Sequence, residues 1–310
     1  MPNSKFSSFE EINSYVDKKI DPAIKKVQIL HRKTFNKVLK AFQENNVSEY
    51  QFKPGFGYGL WDEGTRVTES IFSSLFKAEA SLVRPQITSG SQALFLILNS
   101  LLKSKETLLA VTGTPYETLK SCIGTQDAYP GNLIEKGVFY QEIDLIDKYS
   151  LSLEEKKCIK NAKLCWIQKS RGYSKRSTIS NNEIGRIVKL IRSVNQSVII
   201  AVDNCYGEFT EETEPIENGA DICAGSFMKN PGGGIARTGA YIVGKKLLIE
   251  RVSSYLVAPG LGFEFMPNLG FTYEILLGLF HSPLTVKESL IGNIYFSSFL
   301  EEMGFTVFRF

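Results

Sequence analysis

Histidine is almost missing from this chain of 310 residues, which has only His31 and His281. That argues against a histidine-based metal site or a nucleophile–histidine triad. Cysteine is scarce as well. The five present (Cys122, Cys158, Cys165, Cys205 and Cys223) are an odd number with no C-x-x-C pair. Reduced thiols in a cytoplasmic protein fit that better than a disulfide framework or a zinc site. Charge of either sign is not in excess: 36 Lys and Arg face 33 Asp and Glu, a net +3. A balance so even gives no reason to expect nucleic acid or an anionic membrane as partner. Long apolar runs are also lacking, so no membrane span is expected. The first nineteen residues carry Glu10, Glu11 and Asp17 and no apolar core, unlike a signal peptide.

What is there is the material of a globular α/β protein. The chain is 43% hydrophobic and 22% charged, enough to bury a full core, and its length suits one large domain or two smaller ones. From Phe9 to Asn45 apolar residues recur at helical spacing (Ile20, Ala23, Ile24, Val27, Leu30, then Phe35, Val38, Leu39, Phe42), predicting one or two helices. Pro54-Gly-Phe-Gly-Tyr-Gly59 then interrupts any regular element. Beyond it, strand-like runs at Ala80–Val83, Leu108–Val111, Gly137–Ile143, Leu164–Ile167, Val198–Val202, Asp221–Gly225 and Ala240–Val243 alternate with helical patterns. The helical patterns are Ser91–Leu102, Pro115–Ile123, Asn181–Val194 and Lys245–Leu256, with a last one from Pro283 to Met303. This alternation predicts a mainly parallel sheet with helices on both faces.

In such sheets ligands bind at the carboxyl ends of the strands, and four of these ends carry chemistry. After the first strand, Ser89-Gly90-Ser91 opens a helix, where backbone N–H groups and the helix dipole favour a phosphate; an ordinary serine N-cap has the same look. After the second, Gly113-Thr-Pro-Tyr116 places a tyrosine that is either a ring stacker or a core residue. Val198–Val202 ends on Asp203, a carboxylate that needs a partner: a protonated pyridine nitrogen, a salt bridge or a helix cap. After Asp221–Gly225 comes Ser226-Phe-Met-Lys229, followed by Asn-Pro-Gly-Gly-Gly. Three glycines permit close backbone approach to a ligand. A lysine enclosed there can lose its proton and form a Schiff base, while a plain Gly-rich turn remains the bland alternative. Together the four groups are what pyridoxal phosphate requires. Ser226-x-x-Lys229 also fits a serine acyltransferase pattern, but its S-D-N and K-T-G companions are absent. Gly239 to Lys246 fits most of a P-loop, but a lysine replaces the magnesium-binding Ser or Thr.

The chain resembles the methionine gamma-lyase-like proteins, often labelled aluminium resistance proteins or cystathionine beta-lyases, within fold type I of the pyridoxal phosphate enzymes. The stretches that carry the resemblance are Phe56-Gly-Tyr-Gly59, Val83 to Gly90, Gly113 to Tyr116, Gln168-Lys-Ser-Arg-Gly-Tyr173, Val202-Asp-Asn-Cys-Tyr-Gly-Glu-Phe209 and Ala224 to Gly234. The resemblance implies that Lys229 anchors the cofactor and shuttles protons, Asp203 keeps the ring nitrogen protonated and Tyr116 stacks on the ring. It implies that Ser89, Gly90, Ser91 and Ser226 bind the phosphate, joined by Tyr58 from a neighbouring subunit of a homodimer or homotetramer. Arg171 is a candidate for a substrate or cofactor anion. The implied activity is carbon–sulfur lysis of a sulfur amino acid, with an aminotransferase or a non-catalytic cofactor-binding domain as alternatives. The implied division is a helical segment at 1–50, a cofactor-binding large domain at 51–282, and the start of a small C-terminal domain at 283–310. That domain is expected to be cut short at Phe308-Arg309-Phe310.

Overall fold

The computed structural model describes residue 6 and residues 8–60, 62–127, 129–265 and 267–307; Phe308 to Phe310 lie outside them. Helix α1 (Phe9–Glu44) starts where the Ser8 hydroxyl accepts from the Glu11 N–H, and it runs as one helix through Pro22. Its buried residues Ile12, Val16 and Ile20 and, further on, Val38 and Ala41 lie on one face. Helix α2 (Glu63–Phe76), capped by Asp62, was not anticipated, although Val67, Ile71, Phe72, Leu75 and Phe76 recur at helical spacing and all are buried.

Then come β1 (Ala80–Arg84), α3 (Gly90–Leu101), β2 (Thr107–Ala110), α4 (Glu117–Ile123) and β3 (Phe139–Glu142). After them follow α5 (Leu153–Asn161), β4 (Leu164–Gln168), α6 (Asn181–Arg192), β5 (Ile199–Asp203), β6 (Ile222–Ser226), β7 (Ala240–Gly244), α7 (Lys246–Ser253) and α8 (Phe271–Glu302). Helix α5 was also unforeseen. Its start is a capping box: the Ser152 hydroxyl accepts from the Glu155 N–H, and the Glu155 carboxylate accepts from the Ser152 N–H.

The seven strands form one sheet in the order β1-β7-β6-β5-β4-β2-β3. Strands β2 to β6 pair in parallel, whereas β7 runs antiparallel to both β1 and β6. The expected mainly parallel α/β sheet is therefore present, with one strand reversed. Residues of the inner strands alternate between two cores. One holds Cys223, Val243 and Val202 with Phe72, Ile187 and Leu276, from α2, α6 and α8. The other holds Ile222, Ala224 and Ile242 with Leu94, Leu119 and Ile249, from α3, α4 and α7.

Helix α8 begins twelve residues before Pro283, where the sequence pattern had placed its start, and continues through that proline. Proline removes one helical hydrogen bond. Burial of Ile275, Leu276, Leu279 and Val286 on either side of it holds the helix together. The helix packs along α1, with Ile294, Tyr295 and Phe299 against Ile12, Val16 and Ile20. No helix among the described residues is long and apolar enough to cross a membrane.

Candidate functional site

The apolar run Ile199–Val202 draws β5 into the middle of the sheet and carries Asp203 with it to 4% exposure. The Cys205 N–H donates to Asp203 Oδ1 at 3.0 Å. Burial pushes this carboxyl above the usual aspartate value, and the Cys205 bonds and the charges of Lys229 and Arg176 pull it back.

Strand β6 ends at Ser226, and a turn closed by the Lys229 N–H to the Ser226 carbonyl (3.1 Å) presents Lys229. Its Nζ lies 4.2 Å from the centroid of the Tyr206 ring. Enclosure was expected to strip its proton, and burial does pull in that direction. The negative forms of Cys205, Asp203 and Tyr206 outweigh it, and the pKa stands above the ordinary lysine value. Burial pushes the Cys205 thiol itself well up. Lys229 is thus an ammonium.

The glycines after it do something other than line a ligand. A methyl group at Gly232 would lie 1.7 Å from the Phe227 carbonyl oxygen, and one at Gly233 (φ 57°) 2.2 Å from the Gly278 carbonyl oxygen on α8. Both serve backbone packing.

At the start of α3 the Ser89 hydroxyl accepts from the Gln92 N–H at 3.2 Å, so the N-cap reading of that serine holds. The first N–H groups of the helix, at its positive end, have no partner within it. Gly90 is buried against the end of β6: a methyl there would come 3.0 Å from Ser226 Cβ and 3.4 Å from Cys205 Sγ. Ser91 Oγ lies 3.0 Å from Thr118 Oγ1 on α4.

Tyr116 directly precedes α4, and its N–H donates to Gln168 Oε1 at 2.6 Å. Its ring lies 5.6 Å from that of Tyr173, and a methyl at Gly172 would approach it to 3.1 Å. A hydrogen bond with Tyr173 raises the Tyr116 pKa, and the positive charge of Lys229 pulls it down. Arg171 is half-buried in that same turn, where its carbonyl accepts from the Ser174 N–H at 3.1 Å and the Ser174 hydroxyl at 2.7 Å.

The structure thus brings Asp203, Lys229, Gly90 and Ser226 together around Cys205. Ser89 and Ser91 lie at the adjoining helix start, and Tyr116 and Arg171 at its side. Tyr58 stands apart: it is 64% exposed, with its ring edge-on to Phe265. Three contributors were missed. Gln168 fixes the Tyr116 backbone. Arg176 donates to the carbonyls of Gln168 (2.7 Å) and Ser177 (2.9 Å) and faces Asp203 electrostatically. Tyr206 lies under Lys229 with a left-handed backbone (φ 67°). Residue type alone carries no signal for Arg176 or Tyr206. Gln168 and Tyr206 both lay within stretches already singled out.

Fold and site together define an α/β protein with a lysine–aspartate pair and a helix N-terminus at neighbouring strand ends. A family model, Methionine gamma-lyase, matches residues 9–309, and the chain belongs to that family. It is 38% identical over 285 residues to uncharacterized protein YnbB of Bacillus subtilis (strain 168), covering 91% of this chain and 68% of that one. It is similar to a solved structure from Listeria innocua, provisionally named a cystathionine beta-lyase involved in aluminium resistance. The TM-score is 0.91 and the identity 37%, over 96% of this chain and 74% of that one. A carbon–sulfur lyase involved in aluminium resistance from Clostridium novyi NT matches with a TM-score of 0.91 and 36% identity, over 96% and 72% of the two chains.

Proposed function

We propose that this protein binds pyridoxal phosphate and cleaves a carbon–sulfur bond in a sulfur amino acid. The observation that carries the reading is the placement of Lys229 beside a buried aspartate, at the strand end against which the start of α3 is packed.

The residues fit the cofactor. Gly90, lacking a side chain, lets the start of α3 come close to Ser226, where a methyl would lie 3.0 Å from its Cβ. With Ser89 and Ser91 and the first N–H groups of α3, this makes an anion cradle for the phosphate. Asp203 is a buried acceptor suited to hold a proton on the pyridine nitrogen. Tyr116 would cover one ring face, and Lys229 is the amine that would hold the aldehyde. Bound there, pyridoxal phosphate supplies an electron sink that stabilises negative charge at the α-carbon of an amino acid.

The chain's own groups do the rest. Lys229 Nζ takes the α-proton and returns a proton to the departing fragment. For that it must first give up the proton that the charge of Asp203 helps it keep. Arg171, in the turn beside Tyr116, would meet a substrate carboxylate. Exposed Tyr58 would complete the phosphate site from a second copy, making the working unit a homo-oligomer.

The test is reconstitution. Purified protein should develop a visible band of lysine-bound cofactor. Lys229→Ala should abolish it, and Tyr58→Phe should weaken cofactor affinity about tenfold, the scale of a hydrogen bond to a charged group. Ammonia with thiol, released from a sulfur amino acid, marks a lyase; keto acid without either marks transamination. Absence of the band in the unaltered protein sinks the reading.

A further inference from the structure

The turn after β5 has features that the roles above do not need. Tyr206 and Phe209 both hold left-handed backbone, φ 67° and 59°. Residues with side chains adopt it at a cost and keep it only where their surroundings enforce it. Between them stands Glu208, whose side chain is fully buried. It fills the space left by Gly225 on β6, where a methyl would lie 2.0 Å from Glu208 Oε1.

From there a network spreads in both directions. The Tyr241 hydroxyl donates to Glu208 Oε1 at 2.8 Å and accepts from Asn204 Nδ2 at 3.1 Å. Asn204, which follows Asp203, also donates to Glu214 Oε2 at 3.0 Å, and Glu214 Oε1 accepts from the N–H of strained Phe209 at 3.1 Å. On the other side the Glu208 carbonyl accepts at 2.9 Å from Asn230 Nδ2, the residue after Lys229. Glu208 Oε2 and Asn204 Oδ1 are buried with no hydrogen-bond partner among the described residues. A carboxyl bonded through one oxygen is a costly way to fill a core, so packing alone does not explain it.

We infer that Glu208 is a positioning residue. Through Tyr241 and Asn204 on one side and Asn230 on the other, it locks the Asp203 strand end to the Lys229 turn and keeps Tyr206 under the Lys229 ammonium. The inference rests on Lys229 being the functional amine, but not on which cofactor it carries.

The experiment therefore uses no cofactor. Lysines are modified with a small aromatic aldehyde and borohydride across a range of pH. The Lys229 peptide is followed by mass spectrometry and normalised to lysines far from the site. Tyr241→Phe removes only the linking hydroxyl, and Asn230→Ala removes only the outer bond. Each should change the Lys229 rate about fivefold or shift the midpoint of its pH profile by about half a unit, the scale of one hydrogen bond. Glu208→Gln, a neutral carboxamide of the same shape, should stay within about twofold of the unaltered chain. Should Tyr241→Phe not fold, Asn230→Ala near the surface decides. If Lys229 reacts as in the unaltered chain in both variants, with only stability lowered, Glu208 is a buried filler and the inference is overturned. A changed profile in a protein that takes up no pyridoxal phosphate would keep this inference and sink the proposed function.

Discussion

Two glycines at the strand ends separate stability from binding. Gly225 lies on the face of β6 that meets Glu208. A methyl there would be 2.0 Å from Glu208 Oε1 and 2.7 Å from Tyr241 Cε1, both on fully buried side chains. Neither neighbour has room to retreat, so Gly225→Ala should destabilise by about 3 kcal/mol, the upper part of the overpacking range. Gly90 has looser neighbours, at 3.0 and 3.4 Å, that can give by a few tenths of an ångström. Gly90→Ala should cost only about 1 kcal/mol of stability yet fill the proposed phosphate cradle and weaken cofactor binding by roughly tenfold or more. Denaturant unfolding and cofactor titration measure the two effects. If the order were reversed, with Gly90→Ala the less stable variant and cofactor affinity untouched, Gly90 would be a packing residue and not part of the cradle.

At the scale of elements, α8 acts as a floor under the Lys229 turn. Gly278 brings the helix backbone into contact with that turn: a methyl on it would lie 2.3 Å from the Gly232 carbonyl oxygen. Ser282 Oγ donates to the Asn230 carbonyl at 2.6 Å and Thr285 Oγ1 to that of Gly233 at 3.1 Å. Two effects oppose each other in Gly278→Ala. Helix propensity favours alanine by about 1 kcal/mol, and the clash costs roughly 1–3 kcal/mol. A backbone oxygen at 2.3 Å cannot rotate away as a side chain could, so the clash should win and the melting temperature should fall. A rise would show that the turn moves freely off the helix. Elements were legible where they repeat. The alternation of apolar strands with helices, and the residues at the strand ends, could be read because period 2 and period 3.6 are properties of sequence. Helices α2 and α5 carried readable signals that went unused. The reversal of β7 had none, because Ala240–Gly244 is buried on both faces and its pattern is that of a parallel strand. The early start of α8 was hidden by reading Pro283 as a beginning when burial carries the helix through it.

Over the whole molecule, the parts of the site legible in sequence were those fixed by one residue at one strand end: Lys229, Asp203, Tyr116 and the Ser89–Ser91 turn. What tertiary structure alone decides was not legible: Tyr206 under the lysine, Arg176 facing Asp203, and the buried Glu208 network. That network gives the global stability a pH dependence of definite sign. Burial pushes the Glu208 carboxyl from an ordinary 4.5 to about 8. Around it stand Asp203 from β5, Cys223 from β6, Tyr241 from β7 and Glu214 from the segment between β5 and β6, with Lys169, just past the end of β4, acting on Glu214. Below pH 4.5 both the folded and unfolded chains hold the Glu208 proton. Between 4.5 and 8 the folded chain keeps it while the unfolded chain has released it, so this residue's stabilising contribution is lost as pH rises, by up to about 1.4 kcal/mol per pH unit. Above 8 both states are ionised and the slope ends. Asp203 and Glu214 are raised too and slope the same way, so the informative quantity is the difference between Glu208→Gln and the unaltered chain. That difference should move in favour of the variant by roughly 2–4 kcal/mol between pH 5 and pH 8 and then level off. Urea unfolding at several pH values measures it. A difference that stays constant over that window would mean that Glu208 is ionised in the fold and has found a partner for its second oxygen.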